Sequence, residues 1–235
     1  MMSARILPAH EETSLEEASR VLKGGGLAAF PTDTVYGVGA HGFMPRAVER
    51  LYEAKERPRG KPIALLLASS EEACTVARDL PSTFWLLVKE FWPGGLTLVL
   101  PRGPAVPDVV SAGGDTVALR VPDHPVARTL IRAVGAPLAA SSANLSGQPD
   151  PVTAQEVQRA LGEAIDLILD GGRCPGGVPS TVLDLTTEPP RVLRLGAISV
   201  ERLRAILPHV LVHLRLLNTS LSEPRGSKHA HRHRS

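Results

Sequence analysis

Aromatic side chains make up only 3% of the 235 residues. The interior must therefore be built from Leu, Val, Ile and Ala, and few rings remain to stack on nucleic-acid bases. Cysteine is nearly absent as well. Cys74 and Cys174 stand far apart, in no metal or redox spacing. A reducing compartment is the simple expectation, although two cysteines could pair. No run approaches roughly 18 apolar residues without a charge, glycine or proline, which excludes a membrane-spanning helix. MMSARILPAHEE at the start lacks the apolar stretch of a signal peptide, so a cytoplasmic location is expected. The formal net charge is only +2, much of it from the last eight residues, and does not by itself point to nucleic acid.

Several catalytic signatures are also missing. GGDT, GGG and GGRCPGG match neither a Walker A loop nor a GxGxxG fingerprint. No GxSxG occurs, and His124 lies in a turn-like PDHP, so a serine hydrolase is not supported. His209 and His213 are four apart without a third ligand nearby, and no zinc or other protein-held metal is expected.

What is present reads as globular: 43% hydrophobic and 21% charged residues. A chain of this length buries roughly 70% of its extended surface. Glycine and proline, 21 of each, interleave with apolar segments and mark turns rather than disorder. Strand and helix patterns mix along the chain, with about seven or eight strands, so the expectation is an α/β fold with a twisted, partly parallel sheet. Ser14 with Glu17 reads as a capping box opening a helix that glycines end. Pro45 opens a second, with apolar residues at 47, 48, 51, 52 and 54. EEACTVARDL and STFWLLVKEFW read as two helices in succession. Thr153 with Glu156, and Ser199, cap two later ones. Residues 1–13 read as an N-terminal extension, 14–208 as the domain, and 209–235 as a C-terminal extension. Its final SEPRGSKHAHRHRS is expected to be disordered and solvated; His229, His231 and His233 make metal binding an alternative.

The densest cation cluster is RLYEAKERPRGKP, residues 50–62. Lys55, Arg57 and Lys61 offer charges suited to phosphate oxygens, or form a solvated loop. Lys55 and Arg57 do not share a helical face, but Pro58 could end the helix and turn Arg57 inward. Thr32 and Thr34, in PTDT after an apolar strand, sit where ligands gather in open α/β sheets; a turn held by Asp33 is the plain alternative. Arg120 interrupts the apolar alternation of TVALRVP and shares a face with Thr116. If buried it needs a carboxylate, from the protein or from a ligand. Ser142 and Asn144 lie in the polar SSANLSG after an apolar run. Ser180 begins a strand, and Arg194 ends the next, before Gly196.

The ordered set PTDTVYGVGA, KERPRGKPIALLL, WPGGLTLVL, TVALRVPDHP, SSANLSG, ILDGG, PSTVLDL and RVLRLG resembles the YrdC/Sua5/TsaC family, the threonylcarbamoyl-AMP synthases, in their single-domain form. The similarity covers roughly residues 14–208. It implies a YrdC-like twisted mixed sheet around a concave positive cavity. It also implies an enzyme that makes L-threonylcarbamoyl-AMP and pyrophosphate from L-threonine, bicarbonate or CO2, and ATP, with Mg²⁺ accompanying the nucleotide. The product would pass to separate proteins that install the t6A modification on tRNA; direct tRNA contact is left open.

By the same resemblance Lys55, Arg57 and Lys61 are the catalytic, phosphate-side cations of a KxR motif. Thr116, Ser142, Asn144 and Arg194 join them around ATP. Thr32, Thr34, Arg120 and Ser180 hold threonine, with Arg120 on its carboxylate. Two departures stand out: Leu66 where some relatives carry histidine, and Asp150 where some carry serine. A carbamoyltransferase and a double-stranded RNA or ribosome binder are the alternatives in other classes.

Overall fold

The computed structural model describes residues 3–212. The chain order is β1 (Arg5–Pro8), α1 (Glu12–Lys23), β2 (Ala28–Phe30), β3 (Gly37–His41), α2 (Pro45–Ala54) and β4 (Ala64–Leu66). There follow α3 (Ala73–Val76), α4 (Ser82–Phe91), β5 (Leu96–Pro101), α5 (Asp108–Ser111), β6 (Thr116–Arg120), α6 (Pro125–Val134) and β7 (Leu138–Ser142). The last elements are α7 (Ala154–Leu161), β8 (Leu167–Asp170), β9 (Thr181–Asp184), β10 (Arg191–Arg194), α8 (Val200–Arg204) and β11 (Leu211–Val212).

Among the described residues one eleven-stranded sheet forms, in the order β1-β8-β2-β3-β7-β4-β6-β5-β9-β10-β11. Its pairings are mixed: β4 runs parallel to β6, while β7 runs antiparallel to β3 and to β4. The expected α/β mixed sheet is thus present, with more strands than the seven or eight anticipated. The two edge strands were not anticipated. β1 lies within residues 1–13, expected as an extension, yet pairs with β8 from Arg5 to Pro8. β11 lies beyond residue 208 and pairs with β10. Both are too short to show a period of two. The basic histidine tail lies outside the described residues.

Strand alternation sends side chains to two cores. One face packs against α2, α4 and α7 through Leu65, Leu98, Leu119, Ala139 and Leu183. The other face is covered over only part of its width. There α1 and α6 contribute Ala18, Leu22, Ala127, Leu130 and Ile131, which pack on Phe30, Leu138, Leu167 and Leu169. Each such fully buried Leu or Ile stabilises the fold by about 1.5–3 kcal/mol. Beyond β4 the covering helices end. The same face of β6, β5, β9 and β10 is left open, and the candidate site occupies it.

Helix ends follow local chemistry. α2 starts with Pro45 in its first turn, and Ala47, Val48, Leu51 and Tyr52 are its buried stripe. Thr153 and Glu156 form the reciprocal capping box expected for α7, and Ser199 caps α8. Gly135 ends α6 in the left-handed conformation. The capping box expected at Ser14 does not form. α1 begins at Glu12 with Glu11 as its flanking residue, so Ser14 lies inside the first turn and is buried. EEACTVARDL makes only the single turn of α3, because Ala77 is extended and bridges Arg102, and the Arg78 N–H binds the Pro101 carbonyl. A β-like pairing replaces the rest of that helix.

Candidate active site

The open half of the sheet face carries a cavity of about 400 Å³. Its floor comes from alternate residues of adjacent strands: Ala140 and Ser142 on β7, Ala64 and Leu66 on β4, Thr116, Ala118 and Arg120 on β6, Thr97 and Val99 on β5, Val182 on β9 and Leu193 on β10. Small side chains at Ala64, Ala118 and Ala140 leave the volume free. Thr32, Thr34, Val35, Arg57, Pro179, Ser180 and Arg194 close its sides.

At one end stands Arg120, only 7% exposed. Its fork is already directed three ways: Nε donates to the Gly94 carbonyl at 2.8 Å, Nη1 to Thr34 Oγ1 at 3.0 Å, and Nη2 to Asp33 Oδ1 at 2.6 Å. Asp33 also accepts the Asp123 N–H. Of the two partners the sequence allowed for a buried Arg120, the protein itself supplies one. Guanidinium carries five N–H donors, so two remain for a ligand. Burial lowers the Arg120 pKa and Asp33 pulls it back up.

The hydroxyls of the PTDT loop are ordered by this arginine. Thr32 Oγ1 donates to the Val35 carbonyl and accepts the Thr34 N–H. Its bond with Thr34 Oγ1, at 3.0 Å, must then be donated by Thr34, because a hydroxyl has one proton. Thr34 also accepts from Arg120, so it presents only an acceptor to the cavity.

Arg57 and Arg194 close other parts of the cavity, and the charge of Arg194 is felt at Arg120 as well. α2 stops in a Schellman arrangement: Glu56 is left-handed at φ 48°, its N–H binds the Glu53 carbonyl, and the Arg57 N–H binds the Tyr52 carbonyl. The reversal is made by Glu56, two residues before Pro58, and it aims Lys55 and Arg57 at the sheet. Arg57 is then fastened to the loop that follows, with Nε on the Lys61 carbonyl at 3.1 Å and Nη2 on the Pro62 carbonyl at 2.7 Å. Arg194 is held by Ser180 through its carbonyl, from both Nε and Nη2, and through Oγ at 3.0 Å. Gly196 makes this possible. A Cβ there would run into the carbonyl groups of Pro179 and Ser180.

Lys55 lies behind the cavity wall rather than in it. It is 1% exposed. Its ammonium donates to the Ser142 carbonyl, to the Asn144 carbonyl at 2.5 Å and to Asn144 Oδ1 at 3.2 Å. Ser142 Oγ donates to the same Oδ1 at 2.6 Å. Lys55 thus braces the end of β7 and fixes the polar loop after it. Burial first, and the charge of Arg57 second, push its pKa down to about 8, while Asp150 pulls it up. Asn144 is buried in the same network and does not line the cavity. Lys61 is exposed, and its carbonyl, not its ammonium, serves the site.

The structure therefore brings Thr32, Thr34, Arg57, Thr116, Arg120, Ser142, Ser180 and Arg194 around one cavity, with Lys55 and Asn144 one layer back and Lys61 outside. Asp150 is close enough to Lys55 and Arg194 to raise both pKa values. Lys55, Arg57, Arg120 and Arg194 outnumber Asp33 and Asp150 by two charges, so the field favours an anion. Thr97 was missed at the sequence level. It lines the floor, is 4% exposed, and shares a 2.7 Å bond with Ser180 Oγ. Its polar side chain between Leu96 and Leu98 on a core strand was the available clue.

A family model described as telomere recombination, Sua5_yciO_yrdC, matches residues 20–196. The threonylcarbamoyl-AMP synthase of Pyrococcus abyssi is 40% identical over 223 residues, spanning 95% of this chain and 66% of its own. That of Bacillus subtilis is 43% identical over 197 residues, spanning 83% of this chain and 57% of its own. The crystal structure of P. abyssi Sua5 complexed with L-threonine matches with a TM-score of 0.85 at 41% identity, over 91% of this chain and 62% of that one. The chain thus spans about two thirds or less of the length of these relatives.

Proposed function

The chain belongs to the Sua5/YciO/YrdC family, and on that premise we propose that its cavity joins L-threonine, bicarbonate or CO2, and ATP into L-threonylcarbamoyl-AMP, with release of pyrophosphate, and of water when bicarbonate is the donor. The observation that carries this reading is a cavity lined by three arginines, the buried Arg120 suited to a carboxylate and Arg57 and Arg194 suited to phosphates. The two remaining donors of Arg120 suit the threonine carboxylate. The acceptor on Thr34 suits its amino group. Arg57 and Arg194 retain N–H donors for the triphosphate, with Ser142 and Thr116 in the same lining.

The amine adds to the one-carbon unit to give N-carboxythreonine. A carbamate oxygen then attacks the α-phosphorus, and the bond to pyrophosphate breaks. Among the described residues the cavity lining includes no cysteine, histidine or lysine, which supports direct transfer without a protein nucleophile. Holding three reactants in line and countering the charge that grows on the phosphates are the contributions left to the protein. Mg²⁺ enters with ATP, held by its phosphates. Among the described residues no three His, Cys, Asp or Glu converge as a metal site. The product would go to separate proteins that modify tRNA.

Lys55 gives this reading a pH signature. With its pKa about 8 in the folded chain against 10.5 as the ordinary value, the unfolded chain holds a proton between those values that the folded one has lost. Stability contributed by this group therefore rises with pH across that window and is flat below it. Nucleotide binding moves the opposite way, because a positive charge behind the phosphate end disappears. Calorimetry from about pH 7.5 to about 9.5 is expected to show weaker Mg²⁺–ATP binding while Lys55 itself costs no stability. A constant Kd across that range contradicts this.

The direct test is incubation of the purified protein with ATP, Mg²⁺, bicarbonate and L-threonine. Pyrophosphate and a threonine-dependent adenylate by mass support the synthase. Turnover only with carbamoyl phosphate would indicate the carbamoyltransferase. Steeply salt-dependent RNA affinity without nucleotide binding would indicate the RNA binder.

A further inference from the structure

Arg57 stands at the start of a loop with almost no packing of its own. Residues 58–62 are all exposed, so apolar burial does not hold them in place. Yet this loop orients the arginine, through the Lys61 carbonyl on Nε and the Pro62 carbonyl on Nη2. Pro62 and Ile63 also form part of the cavity wall. The far end is tied where the Ile63 N–H binds the Val110 carbonyl. Within the loop, the Lys61 N–H closes a tight turn on the Pro58 carbonyl. Arg59 pairs with Glu53 on the surface, a contact of the kind that adds little.

Tyr52 supplies the buried anchor. It belongs to the buried stripe of α2 and is 1% exposed. Its hydroxyl donates to the Lys61 carbonyl at 2.8 Å, the same oxygen that receives Arg57 Nε. A carbonyl has two lone pairs, and these two donors fill both. The Tyr52 main-chain carbonyl receives the Arg57 N–H at 2.9 Å. The Arg59 guanidinium lies over the ring, 5.3 Å from its centroid. Among the described residues no other buried side chain hydrogen-bonds to residues 58–62. A buried phenol usually takes some partner; here the partner is the acceptor that aims Arg57.

We propose that Tyr52 is a positioning residue for the reaction: its hydroxyl fixes the Lys61 carbonyl, and so the direction in which Arg57 presents its free N–H groups to the phosphates of ATP. This rests on the synthase reading, with Arg57 on the phosphate side. Two of the five guanidinium N–H groups are spent on the loop, and three remain for the ligand. Tyr52 touches no substrate and acts through Arg57. Without the hydroxyl the arginine keeps its charge, but the loop that orients it loses its tie to the core.

The experiment compares the wild type, Tyr52→Phe, Arg57→Ala and the double variant by calorimetric Kd for Mg²⁺–ATP. Pyrophosphate release over ATP and L-threonine titrations is added for the first two. Phenylalanine keeps the buried ring, so the fold should survive. Tyr52→Phe is expected to weaken Mg²⁺–ATP binding and to lower kcat/KM for ATP by about five-fold to ten-fold, with KM for L-threonine changed by no more than about two-fold. In the Arg57→Ala background the same change should shift the Kd by no more than about two-fold, because no guanidinium is left to aim. A Tyr52→Phe protein with wild-type ATP parameters overturns the proposal while the synthase stands. So do equal losses in both backgrounds, or the absence of a cooperative melt, since either makes the hydroxyl a structural group only. A wild type that releases no pyrophosphate with threonine, bicarbonate and Mg²⁺–ATP overturns the synthase reading and this proposal with it.

Discussion

Replacing Arg120 by lysine is expected to lower kcat/KM for L-threonine by about a hundred-fold or more, with KM for ATP changed by no more than about three-fold. The reason is geometric. The guanidinium reaches Gly94, Thr34 and Asp33 in three directions from one plane and keeps two donors for a ligand. An ammonium has three donors on one atom, and satisfying Asp33 alone would draw it away from the cavity. Lysine still neutralises Asp33, so the fold should survive. Arg120→Ala removes that partner from a largely buried carboxylate and is expected to cost about 3–5 kcal/mol of stability as well. Steady-state pyrophosphate release over a threonine titration separates the two substrates. An Arg120→Lys protein with wild-type kcat/KM would show that the carboxylate binds elsewhere.

Lys55→Met is expected to unfold more easily by about 3 kcal/mol, measured by denaturant titration, and to lose nucleotide affinity with it. The methionine fills the lysine's channel but leaves the carbonyls of Ser142 and Asn144 and the Asn144 Oδ1 without their donor. Bonds to a charged donor contribute about 1.5–3 kcal/mol each, offset in part by the cost of burying the ammonium. Lys61 is the control. It is exposed, so Lys61→Ala should shift stability by no more than about 0.5 kcal/mol, and any rise in KM for ATP would then report phosphate contact directly. Unchanged stability in Lys55→Met would mean that the lysine does not brace the loop after β7.

Much of this arrangement was legible in the chain because it rests on short-range rules. The period of two put Thr116 and Arg120 on one face, Pro45 opened α2, and the Thr153–Glu156 pair capped α7 as it should. Position in three dimensions was less legible. Lys55 and Arg57 look equivalent in sequence, yet a left-handed Glu56 sends the lysine behind the wall and the arginine into the cavity; nothing in KERP specifies that turn, since glycine is the usual residue there. Asp33 reads as a turn residue, and only the fold brings it to Arg120. Thr97 reads as one polar residue in LTLVL, and its place on the cavity floor beside Ser180 depends on the pairing of β5 with β9. Such pairings are non-local, and β1 and β11 were overlooked for the same reason: a strand of two to four residues is defined by its neighbour, not by its own pattern.

The most direct measurement is mass spectrometry of the reaction of purified protein with ATP, Mg²⁺, isotopically labelled bicarbonate and L-threonine. A labelled carbon in a threonine-dependent adenylate, formed together with pyrophosphate, is the expected result. Folded protein that binds ATP yet yields no such adenylate, or that carries AMP covalently during turnover, would contradict a cavity that joins the three substrates directly.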